Sequence, residues 1–306
     1  MTNYVKELHQ KGLISPSVES MSDRMHYLTI MGSVAYGVSN KTSDMDLYGW
    51  YIPPKELVFP HTAGQVLGFG KLKHPHKWTG ELNYQHHHIK EVDSEKEYDL
   101  NIYGIIDYFQ LAIENNPNML NSLFTPESCV VYMTKIGKMV KDKRKIFLHR
   151  GSFHTYKGMA YSQLKLLQRS NYEGKKKIAK EQYGYDPKSA YQIVLHLNLA
   201  EQILIEGDLD LQRNREQLKS IRAGDWSEKQ VVDYAQKKIT ELETLYNQCT
   251  LPWGPEHDGL QDRVKQLLFE CLEEEYGSLS KAVGLANPDA ALLALKEINS
   301  IVKKLV

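Results

Sequence analysis

The sequence predicts an α+β protein, in which a small β-sheet domain with helices is followed by an all-helical C-terminal domain. Short runs rich in β-branched and aromatic residues, typical of strands, precede residue 130. Beyond that point strand patterns disappear and apolar residues recur at helical spacing. We therefore expect one domain over residues 1–130 and a helical domain over residues 131–306.

Four stretches of the first domain have the composition and alternation of strands, namely residues 27–31, 45–52, 81–92 and 98–103. A short amphipathic helix is predicted near the start of the chain. Another helix is predicted from residue 105 to Asn116-Pro117, which breaks it. Residues 55–80 contain several glycines and prolines and are expected to be loop.

Six helices are predicted in the second domain, over residues 131–147, 153–170, 187–206, 227–246, 257–274 and 288–304. The third has the clearest start, because Asp186 is a good N-cap and Pro187 suits the first helical position.

The composition excludes few functions, but it indicates the kind of partner and the cellular compartment to expect. The 306 residues contain 38 basic and 38 acidic side chains, so a nucleic-acid partner would need a local basic patch. The three cysteines are widely spaced and form neither a disulfide framework nor a zinc pattern, which fits a reducing compartment. No signal peptide or membrane span is predicted, so we expect a cytoplasmic protein without a membrane partner.

The strongest functional pattern is Gly32-Ser33 followed by Asp44 and Asp46. Side chains at positions i and i+2 of a strand point to the same face, with Cα atoms roughly 6–7 Å apart. Two carboxylates so placed suit one or two hard divalent cations. A Gly-Ser turn just upstream offers backbone N–H groups and a hydroxyl for phosphate.

This segment, GSVAYGVSNKTSDMDLYGWYIPP, resembles the signature of the DNA polymerase beta nucleotidyltransferase superfamily. SDMDLYGWYIPP is similar to its RNA-repair-pathway family of predicted nucleotidyltransferases. YDLNIYGIIDYFQLAIENNPNMLNSLF, YGYDPKSAYQIVLHLNLAEQILIEGDL and REQLKSIRAGDWS support the narrower match, which covers roughly residues 25–230. The resemblance implies a small mixed sheet carrying the transferase site.

The resemblance also implies a third carboxylate on a neighbouring strand. Asp99 is the preferred candidate because the family places this acid just ahead of a helix. Glu97 would share the face of Asp99 and competes with it, and Asp93 is a weaker choice. Asp44, Asp46 and Asp99 would then be the catalytic residues and the ligands of Mg²⁺ or Mn²⁺.

The implied reaction moves an NMP from an NTP to an acceptor hydroxyl and releases pyrophosphate. Gly32, Ser33, Ser43 and Lys188 are the expected nucleotide-binding residues. The family description suggests RNA as acceptor, for example a 3′ end. A protein or small-molecule acceptor remains an alternative, as does a nucleotide-binding regulatory module with little catalysis. The presence of all three carboxylates argues against the regulatory module.

Three further groups have weaker functional interpretations. The histidines at 86–88 could belong to a zinc hydrolase, but only His86 and His88 would share a strand face, and two histidines do not complete a zinc site. Lys157 and Tyr161 could face the cleft, although packing and solvation are the simpler explanation. Lys175, Lys176, Lys177 and Lys180 could follow a nucleic-acid backbone or form a solvated loop.

Overall fold

The computed structural model of the protein describes residues 1–16, 20–39, 44–59, 82–91, 97–168 and 174–277. Within these ranges five strands form one sheet: Met25–Ile30 (β1), Met45–Tyr51 (β2), Tyr84–Lys90 (β3), Glu97–Gly104 (β4) and Val130–Met133 (β5). Their order is β3-β4-β2-β1-β5. β2 and β4 are parallel and the other neighbouring pairs are antiparallel. The predicted α+β class and mixed sheet are confirmed.

The helices of the sheet region are Tyr4–Gln10 (α1), Gly32–Ala35 (α2), Lys55–Val58 (α3), Ile105–Ile113 (α4) and Pro117–Leu123 (α5). Those that follow β5 are Lys135–Asp142 (α6), Ser152–Leu167 (α7), Gly174–Tyr183 (α8), Pro187–Glu206 (α9), Arg215–Ala223 (α10), Glu228–Gln248 (α11) and Leu260–Tyr276 (α12). α7, α9, α11 and α12 confirm four predicted helices. The helix predicted over 288–304 lies outside the described residues.

Strand β5 shows that the predicted helix over 131–147 is wrong in its first part. Val130–Met133 pairs with β1, and α6 begins only at Lys135. The Thr134 hydroxyl accepts the N–H of Gly137 at 3.3 Å and caps this later start. The sequence Val-Val-Tyr-Met consists largely of strand formers, and β1 offers them backbone partners. The division near residue 130 stays a prediction, with β5 belonging to the sheet.

The alternation along the strands gives the sheet two different faces. On one face Leu28, Leu47 and Leu100 pack with Val5 and Leu8 of α1. The opposite face presents Asp46, Tyr48 and Trp50 of β2 in turn. Trp50 belongs to the large apolar cluster that joins the sheet to the later helices. The second face therefore brings Asp46 towards the helical part of the chain.

Helix α9 is the central element of that helical part. It packs against α7, α10 and α11 and is buried along most of its length. Asp186 caps it as predicted, accepting the N–H of Lys188 at 3.0 Å and the hydroxyl of Ser189 at 2.7 Å. This cap sets the direction of the first turn, where Lys188 lies. No helix within the described ranges is both long and apolar enough to cross a membrane.

Candidate active site

Asp46 and Asp99 lie directly opposite each other on the parallel strands β2 and β4. Register partners on neighbouring strands point to the same face, so both carboxylates emerge on the side of the helical region. Glu97 shares that face of β4 but pairs with Lys90 of β3, and its Oε1 lies 2.5 Å from Nδ1 of His88. Of the two competing acids, Asp99 is therefore the one opposite Asp46. Asp93 lies outside the described residues.

Gly32 brings the Gly-Ser turn against Asp46. Its φ of +63° is the left-handed region that favours glycine, and a Cβ built there would overlap Oδ2 of Asp46. The backbone N–H of Met31 also donates to the carbonyl of Asp46 at 2.7 Å. Gly32-Ser33 forms the first residues of the short helix α2. The turn and the first strand carboxylate thus come together as the spacing predicts, while Ser43 lies outside the described residues.

Helix α10 and the segment just before it stabilise the Gly-Ser turn through hydrogen bonds to backbone carbonyls just after it. Nε2 of Gln212, which precedes this helix, donates to the carbonyl of Ala35 at 3.2 Å. The Arg222 guanidinium donates to the carbonyl of Val38 and lies 5.8 Å from the ring centroid of Tyr191. The stretch REQLKSIRAGDWS, which contributed to the resemblance, therefore supports the turn beside Asp46.

The carboxylates have the donor chemistry for a hard divalent cation. Burial raises the pKa of Asp46, and the negative charges of Asp99 and Asp44 raise it further. A cation would offset this concentration of negative charge. No group of three or more His, Cys, Asp or Glu side chains converges on a possible metal position in the described part of the chain. Asp44 is exposed just ahead of β2, so a three-carboxylate set requires its side chain to turn towards Asp46.

A β-bulge in β3 orients Asp99. The register between β3 and β4 shifts between His86 and Ile89, and His88 adopts a φ of +59°. The backbone N–H of His88 donates to Oδ1 of Asp99 at 2.7 Å, and Nδ1 of His87 lies 3.6 Å from Oδ2. The bulge interrupts the alternation, so the expectation that His86 and His88 share a face is wrong. His86 instead contacts the hydroxyl of Tyr84 at 3.0 Å.

Lys188 faces the same site from the first turn of α9. Burial raises the pKa of Asp46, whereas the positive charge of Lys188 lowers it. The two side chains are therefore close enough to interact electrostatically. Lys188 is exposed and has no ion pair within 4.0 Å among the described side chains. Its ammonium group is therefore available to an incoming anion.

Helix α7 contributes a different set of residues from the pair that the sequence suggested. Lys157 forms an ion pair with Glu243 of α11 at 3.5 Å and stands over the ring of Phe153. Tyr161 is 45% exposed. Met159 and Gln163 are the α7 residues that line a cavity beside Asp46. Packing and solvation, the simpler explanation for Lys157 and Tyr161, agree with these positions.

The cavity beside Asp46 has a volume of about 150 Å³ and a polar lining that sequence reasoning missed. Its polar walls, besides Asp46, are Tyr36, Tyr48, Asn118, Gln163, Gln192 and His196. The spacing of Lys188, Gln192 and His196, one and two turns apart, is a signal that could have identified the α9 members. Asn118 and Gln163 carried no such signal, because only tertiary packing brings α5 and α7 to the sheet.

The basic run at the start of α8 and the three cysteines are further features of the sequence. The side chains of Lys175 and Lys176 are not among the described ones, and Lys177 is exposed on α8. The three cysteines are free and buried. Neither Lys177 nor any of the three cysteines is among the residues that line the cavity beside Asp46.

The sheet, the opposed carboxylates and the adjoining Gly-Ser turn together define the polymerase beta-like class of nucleotidyltransferase. The sequence profile of the RNA repair pathway DNA polymerase beta family matches residues 7–185. Because this match covers more than half of the chain, the protein belongs to that family, and its function is of the nucleotidyltransferase type. Members of such families generally use divalent metals and an NTP.

Solved structures and curated proteins add little to this assignment. The crystal structure of a nucleotidyltransferase-like protein from Exiguobacterium sibiricum 255-15 is similar over 91% of this chain and 77% of that chain. The two share 11% sequence identity, with a TM-score of 0.28. A search of curated proteins found no match.

Proposed function

We propose that the protein is a metal-dependent nucleotidyltransferase that moves an NMP from an NTP to an acceptor hydroxyl, with release of pyrophosphate. The observation that carries the proposal is the direct pairing of Asp46 with Asp99 on parallel strands beside Gly32. Asp44, Asp46 and Asp99 are the residues that would hold Mg²⁺ or Mn²⁺. When bound, two such ions neutralise charge on the phosphates and lower the pKa of the acceptor hydroxyl.

The protein's own groups position the two reactants. Ser33 and the backbone around Gly32 bind phosphate oxygens from the sheet side, while Lys188 binds them from α9. Asp99 has one carboxylate oxygen, Oδ1, already engaged by the His88 N–H. Its other oxygen, Oδ2, lies 3.6 Å from Nδ1 of His87 and is the one that we assign to accept a proton from the acceptor hydroxyl. In-line attack on the α-phosphate then depends mainly on positioning and charge compensation.

RNA is the acceptor that we propose, for example at a 3′ end, with the family description as its support. The neutral overall charge favours a limited contact with RNA over a broad basic surface. A cytoplasmic location stays a prediction, consistent with the three free cysteines.

The test is incubation of the protein with each α-labelled NTP, Mg²⁺ or Mn²⁺, and total RNA. Label in RNA supports the full proposal. Label on protein or on a small molecule would support the transferase reaction but would show that RNA is not the acceptor. Asp46→Asn and Asp99→Asn should each abolish transfer. Asp142→Asn is the matched control, because Asp142 forms an exposed ion pair with Lys138 on α6, away from the site. Transfer at the wild-type rate by the Asp46→Asn, Asp99→Asn double variant would refute the assignment.

A further inference from the structure

The cavity beside Asp46 contains side-chain amide groups that have no hydrogen-bond partner among the described residues. The side chains of Asn118, Gln163 and Gln192 come from three different helices and line the same space. None of the three makes a side-chain hydrogen bond to another described residue. Each amide offers both a donor and an acceptor, so the cavity can hydrogen-bond a ligand with mixed edges.

His196 adds a fourth uncommitted polar group. The side chain is 5% exposed, and burial lowers its pKa to about 4, so the ring is neutral at physiological pH. Nδ1 is buried without a hydrogen-bond partner in the described structure. A buried polar atom without a partner is costly, and only a ligand or water that reaches Nδ1 itself would remove the cost.

Tyr36 is held in place at the wall of the cavity by a buried network. Its hydroxyl oxygen accepts from Nδ2 of Asn121 at 3.1 Å, and Oδ1 of Asn121 accepts from the hydroxyl of Tyr156 at 2.5 Å. Burial raises the pKa of Tyr36 to about 12, so its hydroxyl stays protonated and can donate a hydrogen bond to a ligand. The cavity therefore has a rigid donor in addition to the amides.

One end of the cavity adjoins the phosphate site, because Gly32 and Asp46 are among its lining residues. Asp46 is the only ionised group in this lining, so the remaining walls offer no positive charge to a phosphate. Lys188 lies two helical turns from His196, about 12 Å along α9. A nucleotide whose triphosphate reaches Lys188 and Asp46 therefore has its uncharged end near Gln192 and His196.

The volume restricts which uncharged group fits. The cavity measures about 150 Å³. An engineered apolar cavity of about 150 Å³ accommodates benzene, a single six-membered ring. Met159 and Leu195 supply apolar walls against which a flat ring can pack. A fused two-ring base would extend beyond this volume towards the open side of the cavity.

We propose that the cavity is the nucleobase pocket of the transferase and that it selects a single-ring base, so that UTP or CTP is the substrate in preference to ATP or GTP. This inference rests on the proposed function. Gln192, Gln163 and Asn118 bond the polar edge of the pyrimidine, and His196 bonds it from the closed end. Met159 limits the width of the pocket.

The experiment is equilibrium binding of the non-hydrolysable α,β-methylene analogues of the four NTPs in Mg²⁺, with inorganic tripolyphosphate as a probe of the phosphate site. The wild-type protein should bind the pyrimidine analogues at least about tenfold more tightly than the purine analogues. Gln192→Leu and His196→Leu should reduce that preference to less than about threefold without changing the affinity for tripolyphosphate.

Two further variants keep the test independent of folding. Gln236→Leu, on the exposed side of α11, makes the same chemical change outside the cavity and should preserve the preference. Met159→Ala widens the pocket and should increase the affinity for the purine analogues. This gain of binding cannot result from a loss of folding.

The outcomes separate the two proposals. If tripolyphosphate binds but all four analogues bind alike, or the purines bind more tightly, the base selection is refuted and the transferase proposal stands. If neither tripolyphosphate nor any analogue binds, the transferase proposal fails and the base selection fails with it.

Discussion

Replacing Gly32 by alanine tests whether the Gly-Ser turn sets the position of Asp46. The added methyl would lie 3.1 Å from Cγ of Asp46 and would overlap Oδ2, whereas ordinary contact begins at 3.4 Å. The carboxylate lies at the end of a rotatable side chain, so it can turn away by about 1 Å or more. A misplacement of about 1 Å at a reacting centre can cost about 10²-fold in rate.

The same substitution also has a backbone cost that must be separated from this effect. At a φ of +63° an alanine is disfavoured by about 1–2 kcal/mol relative to glycine. Gly12 has a φ of +68° with nothing within 4 Å of a built Cβ, so Gly12→Ala carries the strain without the overlap. Gly32→Ala and Gly12→Ala should therefore lose similar amounts of stability in urea unfolding, about 1–2 kcal/mol each.

Activity should distinguish these two variants. With pyrophosphate release as the assay, Gly32→Ala should lose about 10²-fold in kcat/KM, while Gly12→Ala should stay near the wild-type value. Titration with Mn²⁺ should show weaker binding to Gly32→Ala only. If both variants keep activity within about threefold of each other, the turn does not position Asp46 and the reasoning is refuted.

Three further predictions concern the carboxylates and their supports. Asp46→Asn should raise the melting temperature in EDTA at neutral pH, since burial raises the pKa of Asp46 and makes its ionised form unfavourable in the folded protein. This gain in melting temperature should vanish below pH 3.8, the ordinary pKa, where the carboxyl is protonated in the folded and the unfolded protein alike. His88→Gly should retain transfer, as its backbone N–H still donates to Asp99, whereas His88→Val should lose about 1–2 kcal/mol of stability at a φ of +59°; equal stability of the two would contradict this account. Asn121→Ala should lower the free energy of unfolding in urea by about 3 kcal/mol, because the buried hydroxyls of Tyr156 and Tyr36 both lose Asn121 as their partner. Tyr156→Phe should cost less, because only one of these two hydrogen bonds is lost.

Much of the fold could be predicted because the periodicity of apolar residues is local information. Residues close together in the chain are enough to predict the strand that carries Asp46, and also helix α9 with its Asp186 cap. Strand β5 could not be predicted in the same way. Its four residues are compatible with either structure, and the free edge of β1, about a hundred residues earlier, decides between them.

The choice between Glu97 and Asp99 shows a similar limit at the site. Both acids lie on one face of β4, so alternation alone cannot choose between them. The register with β2 places Asp99 opposite Asp46, and register depends on pairing between distant segments. The catalytic role of Asp99 stays a prediction, now supported by this pairing. The bulge at His88 could not be predicted from the sequence either, because an extra residue in a strand leaves no periodic pattern.

The sequence by itself determined the class of protein and one wall of the candidate site. Gly32-Ser33 and Asp44-x-Asp46 are close along the chain, and their chemistry follows from residue type and strand geometry. Only the tertiary structure decided the opposite wall, where Asn118, Gln163, Gln192 and His196 meet beside Asp46. Those residues come from three helices far apart in the chain, and only the burial of apolar helix faces against the sheet brings their polar groups together.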